Sequence, residues 1–220
     1  MGKVLERELS RLQDRLLHMG SLTEQAIGKA IRSLTSKDAA LAEEVIEEDK
    51  TIDVLEIEID EHCVRLLALH KPEAVDLRFV TMAFKINNDL ERMGDLAVNI
   101  AERTRSLLKA PMLKPLIDVP RMAELTRGMV TDSLDSFVRR DADLARNVCR
   151  RDDEVDNLND QLFRELLTYM MQDAKFISRA IDLILIGRHL ERIADLATNV
   201  AEDVYYLVRG ETIKHGVAGD

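Results

Sequence analysis

Between residues 4 and 34 the positions Leu5, Leu9, Leu12, Leu16, Met19, Thr23, Ala26 and Ala30 alternate steps of four and three. All but Thr23 are apolar, and this is the spacing of one helix face. Leu22, Ile27, Ile31 and Leu34 widen the stripe beyond the narrow seam of a two-stranded coil, so the helix belongs to a bundle. Ser36 or Asp38 can cap a second helix running to about residue 69. His70, Lys71 and Pro72 end it, because proline cannot continue a helix interior. A third helix is predicted over residues 74 to 108, stopped by Pro111 and Pro115. At 1.5 Å per residue each helix is roughly 45 to 50 Å long.

The plan then repeats. Residues 122 to 137 read as a shorter helix, and residues 140–145 (RDADLA) match residues 37–42 (KDAALA) at the start of the next, which runs to about residue 171. The last helix spans residues 174 to 208, with Gly210 as its stop. The final ten or so residues, containing Gly216 and Gly219, are expected to fray. An internal repeat of this length is too long for a solenoid unit. The fold class is therefore all-α: two tandem three-helix bundles, six long helices in all, related by duplication. Residues 1–110 form the first repeat, 111–220 the second, and the segment from Pro111 to Pro120 joins them.

Composition narrows this little but excludes much. Four prolines, nine glycines and 4% aromatic residues in 220 positions suit long aliphatic helices, not a sandwich or a Rossmann sheet. A net charge of −10 speaks against a nucleic-acid partner. Cys63 and Cys149 occupy unmatched places in the two halves and are expected as free thiols in a reducing cytosol. No stretch approaches 18 apolar residues, so no transmembrane segment is expected and the chain is placed in the cytoplasm.

The chemistry lies in one doubled line. Residues 90–102 read LERMGDLAVNIAE and residues 190–202 read LERIADLATNVAE. On a helical wheel Glu91, Asp95, Asn99, Asn88 and Glu102 fall within about 80° of one another. Met93, Leu96, Ala97, Ile100 and Leu107 take the opposite side. The preceding helix has its own acidic stripe, Asp49, Asp53, Glu56 and Asp60. A hairpin centred on Pro72 sets Asp53 level with Glu91 and Asp49 level with Asp95. In the second half a hairpin at Asp173 and Ala174 does the same for Asp156 with Glu191 and Asp152 with Asp195.

Four carboxylates held together repel unless a cation compensates them or their protons stay on. Such hard oxygen donors suit iron, manganese, magnesium or calcium better than a structural zinc, though zinc remains possible. No Glu-x-x-His pair is present, so this is not a ferritin-like di-iron centre. His189 points away from Glu191 and reads as structural. In a chain with 41 acidic residues a lone acid-x-x-x-acid match means little, and acids on an outer face are usually just solvated, with Arg92 and Arg192 as ordinary ion-pair partners. Two matches mirrored about both turns mean more.

The paired motifs resemble the PhoU family, regulators of phosphate uptake. The resemblance extends along the whole chain, to Asp76-Leu77-Arg78 and to the closing Tyr205, Tyr206, Leu207, Val208, Arg209 and Gly210 with Lys214 and His215. It implies a cytoplasmic adaptor that restrains the phosphate ABC transporter through its ATP-binding subunit. It also implies action on a phosphate-sensing histidine kinase, silencing the phosphate-starvation pathway. It further implies metal clusters on Asp49, Asp53, Glu91 and Asp95, and on Asp152, Asp156, Glu191 and Asp195, with Asn99 and Asn199 beside them. A homodimer is expected, and no catalytic residue. The second copy departs from the pattern, with Leu196 where relatives often carry His, Arg188 in place of Asn88, and Asn159 in place of Glu56. It is expected to bind metal less strongly. The alternatives are a metal-dependent phosphohydrolase and a helical bundle whose acids bind nothing.

Overall fold

A computed structural model describes residues 2–211 and 213; the expected fraying of the tail, and Lys214 and His215, lie outside them. Six long helices follow in order: α1 Gly2–Ser36, α2 Ala39–His70, α3 Ala74–Leu107, α4 Asp118–Arg139, α5 Ala142–Gln172 and α6 Ile177–Arg209. The described residues contain no strand.

The α1–α2 and α4–α5 turns are built alike. Lys37 and Arg140 adopt left-handed backbone (φ 58° and 52°), which turns the chain sharply after each helix. The next residue is Asp in both. Asp38 accepts from the amides of Ala40 and Leu41 at 3.0 and 3.1 Å, and Asp141 from those of Asp143 and Leu144 at 3.0 and 2.9 Å. Each carboxylate thus satisfies amides that a helix start leaves without partners.

The other two turns differ. Lys71, again left-handed, and Pro72 separate α2 from α3, whereas Asp173 caps a short 3₁₀ turn, Ala174–Phe176, before α6. The joint is shorter than expected, because α4 begins at Asp118 and takes in Pro120. In a first helical turn the missing proline amide costs nothing, since no carbonyl awaits it there. Lys114, almost fully buried, anchors the joint by pairing with Asp118 and Glu165.

The two repeats share one continuous apolar core, to which all six helices contribute. At its middle α3 packs against α6, and α1 against α4. Phe79 of α3 stacks on Phe137 of α4 at 5.1 Å. Polar contacts at either end fix α3 and α6 antiparallel. Buried Asp182 accepts from Ser106 at 2.8 Å and faces Arg103 at 3.5 Å, while Asp203 meets Lys85 at 3.2 Å. This register puts the middles of the two doubled motifs side by side.

Candidate functional site

In the first repeat the α2–α3 hairpin places Asp49 and Asp53 among the electrostatic neighbours of Glu91 and Asp95. Burial, and then the charges of Asp53 and Asp95, push the Asp49 carboxyl from its ordinary 3.8 up to about 6. Glu91 is raised by burial and then by Asp95, Glu56, Asp53 and Asp49. Glu56 is raised by burial, Asp60 and Asp53. None of these shifts is offset by a basic side chain. Gly94 makes the approach possible, because a Cβ there would sit 3.1 Å from Asp49 Oδ1 and 3.2 Å from Ile52.

The second repeat assembles Asp152, Asp156, Glu191 and Asp195 in the same way. Burial, then Asp156, Asp195 and Asp153, carry Asp152 up to about 6. Its Oδ1 is buried and makes no direct hydrogen bond, and the nearby Thr198 hydroxyl only weakly opposes the shift. Asp156 is raised by burial and then by Asp195 and other acids. Cations intervene here, however. Glu191 is raised by burial and Asp156 but opposed by Arg188, and Asp195 is raised by burial and opposed by Arg192. The Asn159 amide also donates to Glu191 at 2.5 Å. Gly187 admits that amide, since a Cβ there would lie 2.7 Å from Asn159 Oδ1.

As placed, the described residues hold no three carboxylate, imidazole or thiol side chains gathered tightly enough to grip an ion. The donor set nonetheless fits one. It is all oxygen, and its half-buried members Asp49 and Asp152 are raised by burial and then by neighbouring negative charge, with Asp152 Oδ1 making no direct hydrogen bond. Asp53, Asp95, Asp156 and Asp195 are exposed. His189 lies beside Arg103 and Arg192, away from the carboxylates; burial and those charges lower its pKa.

Asn99 and Asn199 lie beside Asp95 and Asp195, at the seam between the repeats. They line a cleft of about 360 Å³ between α3 and α6, together with Arg92, Asp95, Leu96, Arg192, Asp195 and Leu196. No local pattern of residues announces this cleft, which depends on how the two repeats dock. Arg92 reaches Asp89 at 3.9 Å and no motif carboxylate, and Arg192 has no hydrogen-bond or ion-pair partner among the described residues. Cys63 and Cys149 are free, the first buried and the second half-buried. Burial raises their thiols to about 12 and about 11.

Comparison with known proteins agrees with this architecture. A family model described as PhoU domain matches twice, over residues 16–104 and 119–204. A phosphate-specific transport system accessory protein PhoU homolog of Aquifex aeolicus is 47% identical over 211 residues, 96% of each chain. Its counterpart in Zymomonas mobilis is 41% identical over 99% of this chain and 92% of its own. Among solved structures, PhoU from Pseudomonas aeruginosa superposes with a TM-score of 0.91 at 42% identity, covering 94% of this chain and 99% of that one. The phosphate transport system regulatory protein PhoU from Streptococcus pneumoniae gives 0.87 at 32% identity, over 96% and 99%. With two matched repeats, the shared fold and this identity along nearly its whole length, the chain belongs to the PhoU family.

Proposed function

We propose that the chain is a cytoplasmic, metal-binding accessory protein that restrains phosphate uptake by an ABC transporter, docking on its ATP-binding subunit. The same adaptor acts on a phosphate-sensing histidine kinase to keep the phosphate-starvation pathway silent. The observation that carries the metal reading is the doubled rank of carboxylates across the α2–α3 and α5–α6 hairpins. Asp49, Asp53, Glu91 and Asp95, with Asn99, would hold one set of ions. Asp152, Asp156, Glu191 and Asp195, with Asn199, would hold the other. Iron, manganese or magnesium suits these donors. A bound cation supplies the positive charge the clusters lack and ties the two helices of each hairpin together.

The transport role rests on relatives that are phosphate-specific transport system accessory proteins and match nearly the whole chain. Docking requires apolar surface, and Val54, Ile57 and Val64 present it on one exposed face of α2. That face also suits a homodimer. Among the described residues no helix is long and apolar enough to cross a membrane, in keeping with a peripheral adaptor. The accessory role named for the relatives supports reading the chain as an adaptor without a catalytic role.

Deleting the gene and following phosphate-regulon expression in phosphate-rich medium tests the regulatory reading. Derepression, reversed by the wild-type gene, is expected; unchanged repression sinks it. Metal analysis of protein purified without chelator tests the second part, and metal-free protein would leave only the helical scaffold. A phosphomonoester screen with added manganese is expected to be blank.

A further inference from the structure

The cleft between α3 and α6 has a composition that the carboxylate clusters do not explain. Each repeat contributes the same three polar residues, Arg92, Asp95 and Asn99 from one side and Arg192, Asp195 and Asn199 from the other. Leu96 and Leu196, both buried, line it with them. The antiparallel register set by Arg103–Asp182 and Lys85–Asp203 brings two guanidinium groups into one opening of about 360 Å³. Like charges gathered in a cleft are unfavourable unless something of opposite sign stands beside them, and here only Asp95 and Asp195 of the lining do so; a cation on those carboxylates would leave the guanidinium groups unbalanced. Arg192 makes no hydrogen bond or ion pair among the described residues, though its charge acts on Asp195, and Arg92 has a loose contact with Asp89 at 3.9 Å. The side-chain amides of Asn99 and Asn199 make no hydrogen bond among the described residues.

We infer that this cleft is an oxyanion site, in which Arg92 and Arg192, helped by the amides of Asn99 and Asn199, hold a small tetrahedral anion between the two repeats. Guanidinium forks match the oxygens of phosphate and sulfate in pairs, and amide N–H groups can donate to those that remain. The two-fold arrangement lets one anion be held equally from both helices. Asp95 and Asp195 line the same cleft and would repel an anion while they are bare. The inference therefore rests on the metal reading in one respect: a cation on each of these carboxylates must cancel its charge. Oxyanion and metal then bind with positive coupling, and each tightens the other by the same factor. The two repeats would sense the anion jointly, because neither supplies the whole site.

Equilibrium dialysis of the full chain with inorganic phosphate, with manganese and again after chelation, tests this. Manganese-loaded protein is expected to bind phosphate. Binding should weaken about tenfold or more on chelation and in the doubly substituted Arg92→Gln, Arg192→Gln chain. Both arginines are exposed, so that chain should fold, and its metal content should be no lower than that of the wild type, because losing Arg192 removes a charge that opposes a cation at Asp195. The Arg92→Lys, Arg192→Lys pair, which keeps charge but loses the fork, should fall between. Competition by sulfate at equal concentration separates a general oxyanion site from one selective for phosphate, and either result supports the cleft. Protein that takes up manganese but binds no phosphate overturns the inference and leaves the metal reading standing. Protein that takes up no manganese is recognised before phosphate is added, and overturns both.

Discussion

The two carboxylate clusters descend from one plan and differ in what surrounds them. The first is bare: Asp49, Glu56 and Glu91 are raised by burial and by one another, with no cation opposing the shift. The second contains its own compensation. Arg188 and Arg192 act against the raised pKa values of Glu191 and Asp195, and the Asn159 amide engages Glu191. Duplication preserved the four paired carboxylates, while two neighbouring substitutions, Arg188 for Asn88 and Asn159 for Glu56, changed how much unbalanced charge surrounds them. Affinity for a cation follows the unbalanced charge rather than the number of acids, so the first cluster should bind more tightly.

The severest test of that comparison is to remove one carboxylate from each cluster. Asp95→Ala is expected to cut manganese or iron content by about half or more, and Asp195→Ala to cut it less. Elemental analysis of the two purified variants decides, and a greater loss from Asp195→Ala would reverse the ranking.

Next in size are the glycines that let each hairpin close. Gly187→Ala would set a methyl 2.7 Å from Asn159 Oδ1 and 2.9 Å from Leu162, and Gly94→Ala one 3.1 Å from Asp49 Oδ1. Overpacking of this kind costs about 1 to 3 kcal/mol. Thermal denaturation should rank Gly187→Ala as the more damaging, and only Gly94→Ala should also disturb metal content at the first cluster.

Protonation supplies a milder test that both clusters should pass alike. A carboxyl whose pKa is higher in the fold than in the unfolded chain binds its proton more tightly when folded. Asp49 and Asp152, raised from 3.8 to about 6, therefore favour the metal-free fold at low pH. That contribution is lost as pH climbs through this interval. The unfolding midpoint of chelated protein should fall between pH 4 and pH 7, apart from the titration of other groups. Added manganese should flatten the decline. An unchanged pH profile with metal would show that neither cluster is its binding place.

The smallest effect should come from making the second cluster resemble the first. Arg188→Asn with Asn159→Glu removes the opposing cation and restores the missing acid. Manganese affinity at the second cluster should rise about two- to tenfold, read by titration in an Asp95→Ala background. No gain would mean that Arg188 and Asn159 are bystanders.

The residues by themselves determined a great deal, because helices and hairpins are built from local rules. The four-and-three spacing from Leu5 to Ala30, the caps at Asp38 and Asp141, and the breaks at Pro72 and Gly210 marked the helices to within a few residues. The exception was Pro120, expected in the joint between the repeats and found in the first turn of α4. Within each hairpin, counting residues from the turn was enough to bring Asp49 and Asp53 to Glu91 and Asp95, and Asp152 and Asp156 to Glu191 and Asp195. Only the tertiary structure decided what lies between the repeats. The antiparallel docking of α3 on α6 depends on Asp182, Arg103, Asp203 and Lys85, pairs 79 and 118 positions apart whose meeting no local periodicity encodes. That docking turned Arg92, Asn99, Arg192 and Asn199 from surface residues of two helices into the walls of one cleft. It also gave the two repeats a single core, because apolar faces written separately in each half find their partners only when both halves are folded.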